Sequence, residues 1–342
     1  MLEVITLEDS KKWDDTVRSF KDYDVYYLSG YLKSLLINGD GYPLLFYYRD
    51  KDVRGINVVL KRDVADDIRF AGLEKGKYFD FTSPYGYGGW IVEGEDYAPL
   101  FLKYEKWCLD NNIICEFVRF HPLIENQKYC LDSYNVIPLG QVISLDLSDY
   151  DTMWANMSSR NRNKIKKAMN FGVKVSIGGK EKLDSFIKIY EETMTRDNAE
   201  DYYFFKRDYY DCLFDELKDE ICIFNSELDG KELSDCIIFK VNDRLSYHLA
   251  GSTRTSGNIY ETNLLIYEVA KWGCEHGCRS LILGGGVGSA EDNLYRFKKG
   301  FDDKHSYQFY IGKKMYNQEV YDYLISRRSD IHNMNYFPAY RG

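Results

Sequence analysis

Apolar and polar positions along this chain describe one pattern twice. It appears first as Leu44–Tyr48, a turn at Asp50-Lys51-Asp52, Ile56–Lys61, then Ile68-Arg69-Phe70-Ala71-Gly72. It returns as Ile221–Phe224, a turn at Asp229-Gly230-Lys231, Cys236–Lys240, then Leu245–Gly251. β-Branched and aromatic runs punctuated by Asx and Gly turns predict three antiparallel strands in each copy. Each copy continues with a helical stretch (Tyr104–Cys108; Tyr267–Cys274) that runs into a buried strand, Ile113–Phe120 or Ser280–Leu283. An internal repeat of this size predicts a duplicated α/β unit.

Between the copies, Val142–Leu147 reads as a strand. An amphipathic stretch follows from Thr152 through Met153, Met157, Ile165 and Met169, closed by Gly172 as a C′ residue. Val173, Val175 and Ile177 alternate with polar residues as in a strand; Leu183, Phe186, Ile187, Tyr190 and Met194 keep helical spacing. No long heptad run occurs, so no coiled-coil arm is expected. The pattern divides the chain into a first domain, 1–147, and a second, 148–314.

Composition narrows the function classes. The 342 residues carry a net charge of −9, which argues against bulk adhesion to DNA or anionic lipid. The N-terminus lacks a signal-peptide layout, and no run approaches a membrane span, which points to the cytoplasm. Eight cysteines contain no C-x-x-C and read as reduced, mostly buried hydrophobes. Cys274-Glu-His276-Gly-Cys278 fits no zinc spacing, so no metal is expected. The 31 tyrosines suit either half-wet clefts around a polar ligand or a tyrosine-filled core.

Candidate chemistry clusters in three places. A strand empties into Gly284-Gly285-Gly286-Val-Gly288, and a helix is expected to start at Ser289 with Asp292 at capping-box spacing. Glycines admit a ligand to the backbone, and free amides at a helix start favour anions. This is neither a Walker loop nor a dinucleotide fingerprint, and no G-x-S-x-G elbow exists. From Arg160 to Lys182, eight Lys/Arg meet one acid, which suits phosphate or RNA backbone but equally a solvated helix face. Third, Ser83-Pro-Tyr85-Gly-Tyr87-Gly-Gly89 is a glycine–aromatic loop, and Arg119 and His121 are expected on one face of a strand end. Tyr247-His248 lies on the matching strand of the second copy.

Taken together, Ser159–Ala168 (SRNRNKIKKA) with Gly172-Val173, Arg119–Leu123, Ser83–Gly89, and Leu283–Gly286 through Phe297-Lys298-Lys299-Gly300-Phe301 resemble the Fem-type (FemABX) transferases. These are the peptidoglycan bridge-forming aminoacyltransferases, related to acetyltransferase-like proteins of polysaccharide gene clusters. The resemblance implies a mixed α/β fold of two tandem GNAT (acyl-CoA N-acyltransferase)-like domains, with 315–342 returning to the first. It implies an acyltransferase of a bacterial cytoplasm, moving an aminoacyl group from aminoacyl-tRNA to an amine of a cell-envelope precursor such as a UDP-linked muropeptide. No tightly bound cofactor is implied. Phe297 and Lys298 fall on the pair that meets the aminoacyl end and the transition state. Lys33 is the counterpart of a lysine that meets precursor phosphates, and Arg196, Tyr203 and Tyr247 are counterparts of residues closing the precursor site. Tyr85, Tyr87, Arg119, His121, Gly285 and Gly286 complete the expected substrate contacts, and His248 or a tyrosine is a candidate base.

Two departures keep other readings open. Neither half shows the Q/R-x-x-G-x-G/A pyrophosphate loop, which weakens acyl-CoA as donor. The Tyr85–Gly89 loop and Arg-Phe-His-Pro lie closer to the polysaccharide branch. The alternatives are an N-acyltransferase using acyl-CoA or acyl carrier protein on an amino sugar, and a non-catalytic binder of nucleotide-sugar or tRNA.

Overall fold

A computed structural model describes residues 1–254, 258–331 and 333–342. The chain forms two units: Met1–Leu139 with Phe309–Gly342, and Gly140–Gln308. In chain order the first part holds β1 (Leu2–Ile5), α1 (Ser10–Arg18), α2 (Ser29–Asn38), β2 (Tyr42–Arg49), β3 (Arg54–Asp63), β4 (Phe79–Thr82), β5 (Ile91–Glu93), α3 (Ala98–Asp110) and β6 (Ile113–Arg119). β7 (Asn135–Asp146) carries the chain into the second unit. That unit adds α4 (Tyr150–Asn156), α5 (Ser159–Asn170), β8 (Lys174–Gly178), α6 (Leu183–Arg196), α7 (Arg207–Leu217), β9 (Ile221–Leu228), β10 (Lys231–Val241) and β11 (Arg244–Ser252). It closes with α8 (Glu261–Glu275), β12 (Ser280–Gly284) and α9 (Asn293–Lys299). β13 (Ser306–Met315) then returns the chain to the first unit, which ends with α10 (Gln318–Ser326).

The duplication is visible in strand order. The first unit runs β1-β2-β3-β4-β6-β13 and the second β8-β9-β10-β11-β12-β7. In both, neighbours are antiparallel except at one step, β4 beside β6 and β11 beside β12. A parallel step needs a crossover, and α3 and α8 supply it. The sixth strand of each unit comes from the chain segment that joins or rejoins it: β13 in the first, β7 in the second.

Three sequence expectations need correction. Ile68–Phe70 is a single 3₁₀ turn, not a strand; the third strand of the first copy is β4. The cause is local: Asp63 accepts from Ala65 N (2.9 Å) and Asp67 from Arg69 N (3.0 Å), so two Asx caps wind the chain where Ile68 and Phe70 look like a strand. The stretch from Thr152 is two helices. Ser158 is extended and caps α5 by accepting from Asn161 N, which ends α4 at Asn156. Finally, α9 begins at Asn293. Asp292 is its N-cap, accepting from Tyr295 N at 2.8 Å, while Val287–Ser289 forms a separate 3₁₀ turn.

Tyrosine fills the core. Tyr27, Tyr31, Tyr48, Tyr104, Tyr209, Tyr210 and Tyr340 are among the largest fully buried side chains. In the first unit Tyr104, Tyr134 and Tyr316 all donate to one oxygen of the fully buried Glu116, at 2.7–3.0 Å. A buried carboxylate is tolerated when its lone pairs are satisfied in this way.

Candidate functional site

In the second unit the glycine turn, α9 and the start of α5 interlock. β12 delivers the chain to Gly284, whose φ of +81° is open to glycine and strained for other residues. Gly285 packs its backbone on β7, so a Cβ there would stand 2.8 Å from Gln141 O. Gly140 does the reciprocal service: a Cβ on it would coincide with the carbonyl oxygen of Ser289. The tip carries two successive left-handed residues, Gly288 (φ +58°) and Ser289 (φ +67°).

Lys298, on the last turn of α9, reaches back under this turn. Its Nζ donates to Gly285 O at 2.7 Å. Burial lowers its pKa to about 8, against a smaller upward pull from Asp292. An ammonium has three donors, so the bond to Gly285 leaves donors for an incoming oxygen. Phe297 stands edge-on to the fully buried Phe301 (5.3 Å) and packs, with Tyr247, against the core beneath α8. The end of α9 is tied to α5: Ser158, the cap of α5, donates through N (3.1 Å) and Oγ (3.2 Å) to Gly300 O. Asn161, buried one turn on, accepts from Asn263 Nδ2 at 2.6 Å. Sequence reasoning missed this link. Ser158 carries a readable N-cap signal, but Asn161 and Asn263 are joined only by folding.

The basic run is divided by the fold. Arg162 turns inward and donates to the carbonyls of Trp154, Ala155 and Met157, capping the end of α4. Lys180 pairs with Asp211 (3.1 Å) and Asp215 (2.8 Å), and Lys182 donates to Ser176 and Asn225. Arg160, Lys164, Lys166 and Lys167 remain on α5, with no ion pair to an acid among the described residues. Lys164 and Lys167 both lie over the ring of Tyr260, 5.4 and 5.8 Å from its centre.

His248 is elsewhere. It points to the other face of the sheet from Tyr247, 3.0 Å from Tyr209 OH and 4.4 Å from the Phe239 ring, so the structure does not bring it to Lys298. Burial drops its pKa to about 3, which leaves a neutral and weakly basic imidazole. Arg196, in the last turn of α6, donates to Ser252 O (2.7 Å) and lines an open groove of about 870 Å³ with Arg254 and Glu192. Tyr203 sits on a short turn, edge-on to Tyr202.

The remaining expected residues gather in the first unit. The Ser83–Gly89 loop is pinned: Tyr31 OH donates to Tyr85 O (2.6 Å), Tyr27 OH to Gly89 O (2.8 Å), and Gly88 N to Arg119 O (2.7 Å). The ring of Tyr26 fills the space a Cβ on Gly86 would need. Tyr87 is half-buried beside Tyr26 and His121, and burial raises its pKa. Lys33 is half-buried on α2, and Arg119 half-buried at the end of β6 over Phe117. His121 corrects an expectation. It is fully buried, its Nε2 3.0 Å from Asp24, its Nδ1 accepting from Leu123 N and Ile124 N, both at 3.2 Å. With Nδ1 accepting, the proton sits on Nε2 and is given to Asp24; both nitrogens are occupied, and the ring anchors the loop instead of meeting a substrate.

Comparison with known proteins bears on these features. Residues 135–244, which include β7, α5 and the whole basic run, match the model of the FemAB family. These residues are FemAB-family sequence. The likeness read from the motifs is therefore borne out. A UDP-N-acetylmuramoylpentapeptide-lysine N(6)-alanyltransferase of Weissella viridescens is 32% identical over 224 residues, 60% of this chain. The match spans 65% of that relative's length. The crystal structure of FemX matches over 96% of this chain and all of its own, with TM-score 0.68 at 15% identity. The structure of L-PGS from Bacillus licheniformis matches over 94% and 96%, with TM-score 0.57 at 15% identity. The mixed α/β fold in two units expected from the resemblance is the fold observed, and FemX shares it. Among the described residues no helix is long and apolar enough to cross a membrane, and no group of three His, Cys, Asp or Glu is placed to hold a metal.

Proposed function

We propose that this protein is a Fem-type aminoacyltransferase that moves an aminoacyl group from aminoacyl-tRNA to an amine of a cell-envelope precursor, a UDP-linked muropeptide above all. The observation that carries the reading is Lys298: a largely desolvated ammonium, oriented by Gly285 O beside an aromatic wall at Phe297. The acceptor amine attacks the ester carbonyl. A C–N bond forms, the ester C–O bond breaks, the terminal ribose oxygen leaves with a proton, and the amine loses one. Between these events the carbonyl oxygen carries negative charge, and a fixed cation in a water-poor site stabilises that charge most effectively. Support for a nucleic-acid donor comes from α5, whose four cations outside ion pairs, with Lys164 and Lys167 flanking the Tyr260 ring, suit phosphates and a stacked base. Support for the acceptor comes from the alanyltransferase activity for which the Weissella relative is named. Candidate substrate contacts are Lys33, Arg119, Tyr85 and Tyr87 in the first unit and, separately, Arg196, Tyr203 and Tyr247 in the second.

The test is transfer of radiolabelled alanine from alanyl-tRNA to UDP-linked muramoyl-pentapeptide by the purified protein, with acetyl-CoA plus an amino sugar as a parallel arm. Labelled muropeptide supports the reading. Acetylated amino sugar with no labelled muropeptide overturns it in favour of the polysaccharide acyltransferases.

A further inference from the structure

We infer that Asp292 is a positioning residue for the transfer reaction: one carboxylate ties α9, which carries Lys298, to the glycine turn whose Gly285 O accepts from Lys298 Nζ. The inference rests on the acyltransferase reading above. Asp292 uses its two oxygens for two different elements. Oδ1 accepts from Tyr295 N at 2.8 Å, the N-cap bond of α9, and Oδ2 accepts from Val287 N at 3.0 Å, in the 3₁₀ turn that follows Gly286. The carboxylate also presses on Gly286, where a Cβ would collide with it.

This bridge does more than cap a helix. The turn it closes holds Ser289 in a left-handed conformation that a side-chain-bearing residue adopts only at a cost, so it persists only where its surroundings over-determine it. Two constraints do so: the bridge from Asp292 to Val287 on one side, and the seat of Ser289 O on Gly140 on the other. The same turn presents Gly285 O, the acceptor that orients Lys298. Both the lysine's position and its anchor thus pass through Asp292.

Charge adds a second route. Desolvation pushes Lys298 toward the neutral amine, and the charge opposing this, among the described residues, is Asp292. The other charged groups on this short helix, Arg296 and Lys299, are cations, and what α5 brings to Gly300 is the neutral Ser158 and Asn161. Asp292 itself is held ionised, below the usual carboxylate range, by the backbone amides of Tyr295 and Val287. Without it a buried amine loses its counter-charge and titrates lower.

The experiment reads Lys298 directly. Competitive acylation with isotopically labelled acetic anhydride, followed by peptide mass spectrometry, gives the titration midpoint of Lys298 in wild type, Asp292→Asn and Asp292→Glu. Asparagine keeps much of the cap and removes the charge; glutamate keeps the charge and displaces the turn. The expected result is a midpoint lowered by about half a unit or more in D292N and restored to within about 0.2 units in D292E. Alongside it, kcat of D292N falls relative to wild type increasingly above neutral pH, while D292E loses rate evenly across pH. A D292N midpoint that does not move, or one that moves equally in D292E, overturns the inference. Because the titration needs no turnover, it separates this outcome from failure of the transferase reading, which would appear as absent transfer in wild type.

Discussion

Removing the Lys298 ammonium is the most direct test of the proposed chemistry. Its Nζ spends one donor on Gly285 O and keeps the others for a reacting oxygen. Losing one preorganised donor of this kind costs about 10²–10³ in turnover, and Lys298→Ala is expected to lose that much with little change in KM. The pH dependence gives a sharper reading. With a pKa of about 8, Lys298 is mostly charged at neutral pH and loses its charge as pH rises through that value. The acceptor amine confuses a raw profile, because it must be neutral to attack and becomes more reactive at high pH. Lys298→Arg removes the confusion, since a guanidinium stays charged up to about pH 12 and the substrate's titration is common to both enzymes. The ratio of wild-type to Lys298→Arg kcat/KM, measured in single turnovers, should be flat below about pH 7 and fall nearly tenfold per unit above about pH 8. A ratio flat to about pH 9.5, or a Lys298→Ala enzyme within about threefold of wild type, would refute the oxyanion assignment.

Four further expectations follow from the same structure. Gly140→Ala drives a methyl into Ser289 O and should lower the melting temperature by an amount equivalent to about 1–3 kcal/mol, slowing transfer as the glycine turn moves; unchanged melting and rate would mean the contact is not needed. Asp80 is fully buried and binds Arg62 (2.6 Å), Arg341 (2.7 Å) and Tyr340 OH (2.9 Å). Burial would raise its pKa, but the two guanidiniums outweigh this and depress it. Its contribution is therefore present above the unfolded carboxylate value and lost as pH falls through the lower folded one, and Asp80→Asn should cost about 3–5 kcal/mol in urea titrations at neutral pH and much less near pH 2. His248→Phe should keep turnover within about threefold, because the imidazole is already neutral and packed among aromatics; a loss of two orders of magnitude would reinstate it as a base. Replacing Arg160, Lys164 and Lys167 together by Gln should reduce the salt dependence of binding to an acceptor-stem RNA by about 2 in log–log slope, read by fluorescence anisotropy.

Elements whose information is local were legible from the chain alone. The strands of both copies were readable from runs such as Ile56–Lys61 and Cys236–Lys240, and a helix end from Gly172, because alternation, periodicity and caps are properties of neighbouring residues. The duplication was legible for the same reason, as was the FemAB likeness carried by Ser159–Ala168 and Phe297-Lys298. Where two local signals competed, the chain misled. Ile68 and Phe70 look like a strand until the Asx caps at Asp63 and Asp67 are seen to wind it, and Asp292 looks like the third residue of a capping box when it is the cap.

What the tertiary structure decided concerns which groups are left over. Composition places eight cations between Arg160 and Lys182, but only folding shows that Arg162 is consumed by carbonyls of α4 and Lys180 by acids of α7, leaving α5 to carry the charge. His121 and His248 are alike in sequence, each beside an aromatic residue at a strand. The fold occupies both nitrogens of one and desolvates the other until it hardly titrates. The state of Lys298 depends on Gly285, thirteen residues away, and on the burial of a whole turn against Gly140 and Gln141. Charge state and hydrogen-bond vacancy are sums over everything a side chain touches, and for these residues nearly all of those contacts are distant in the chain.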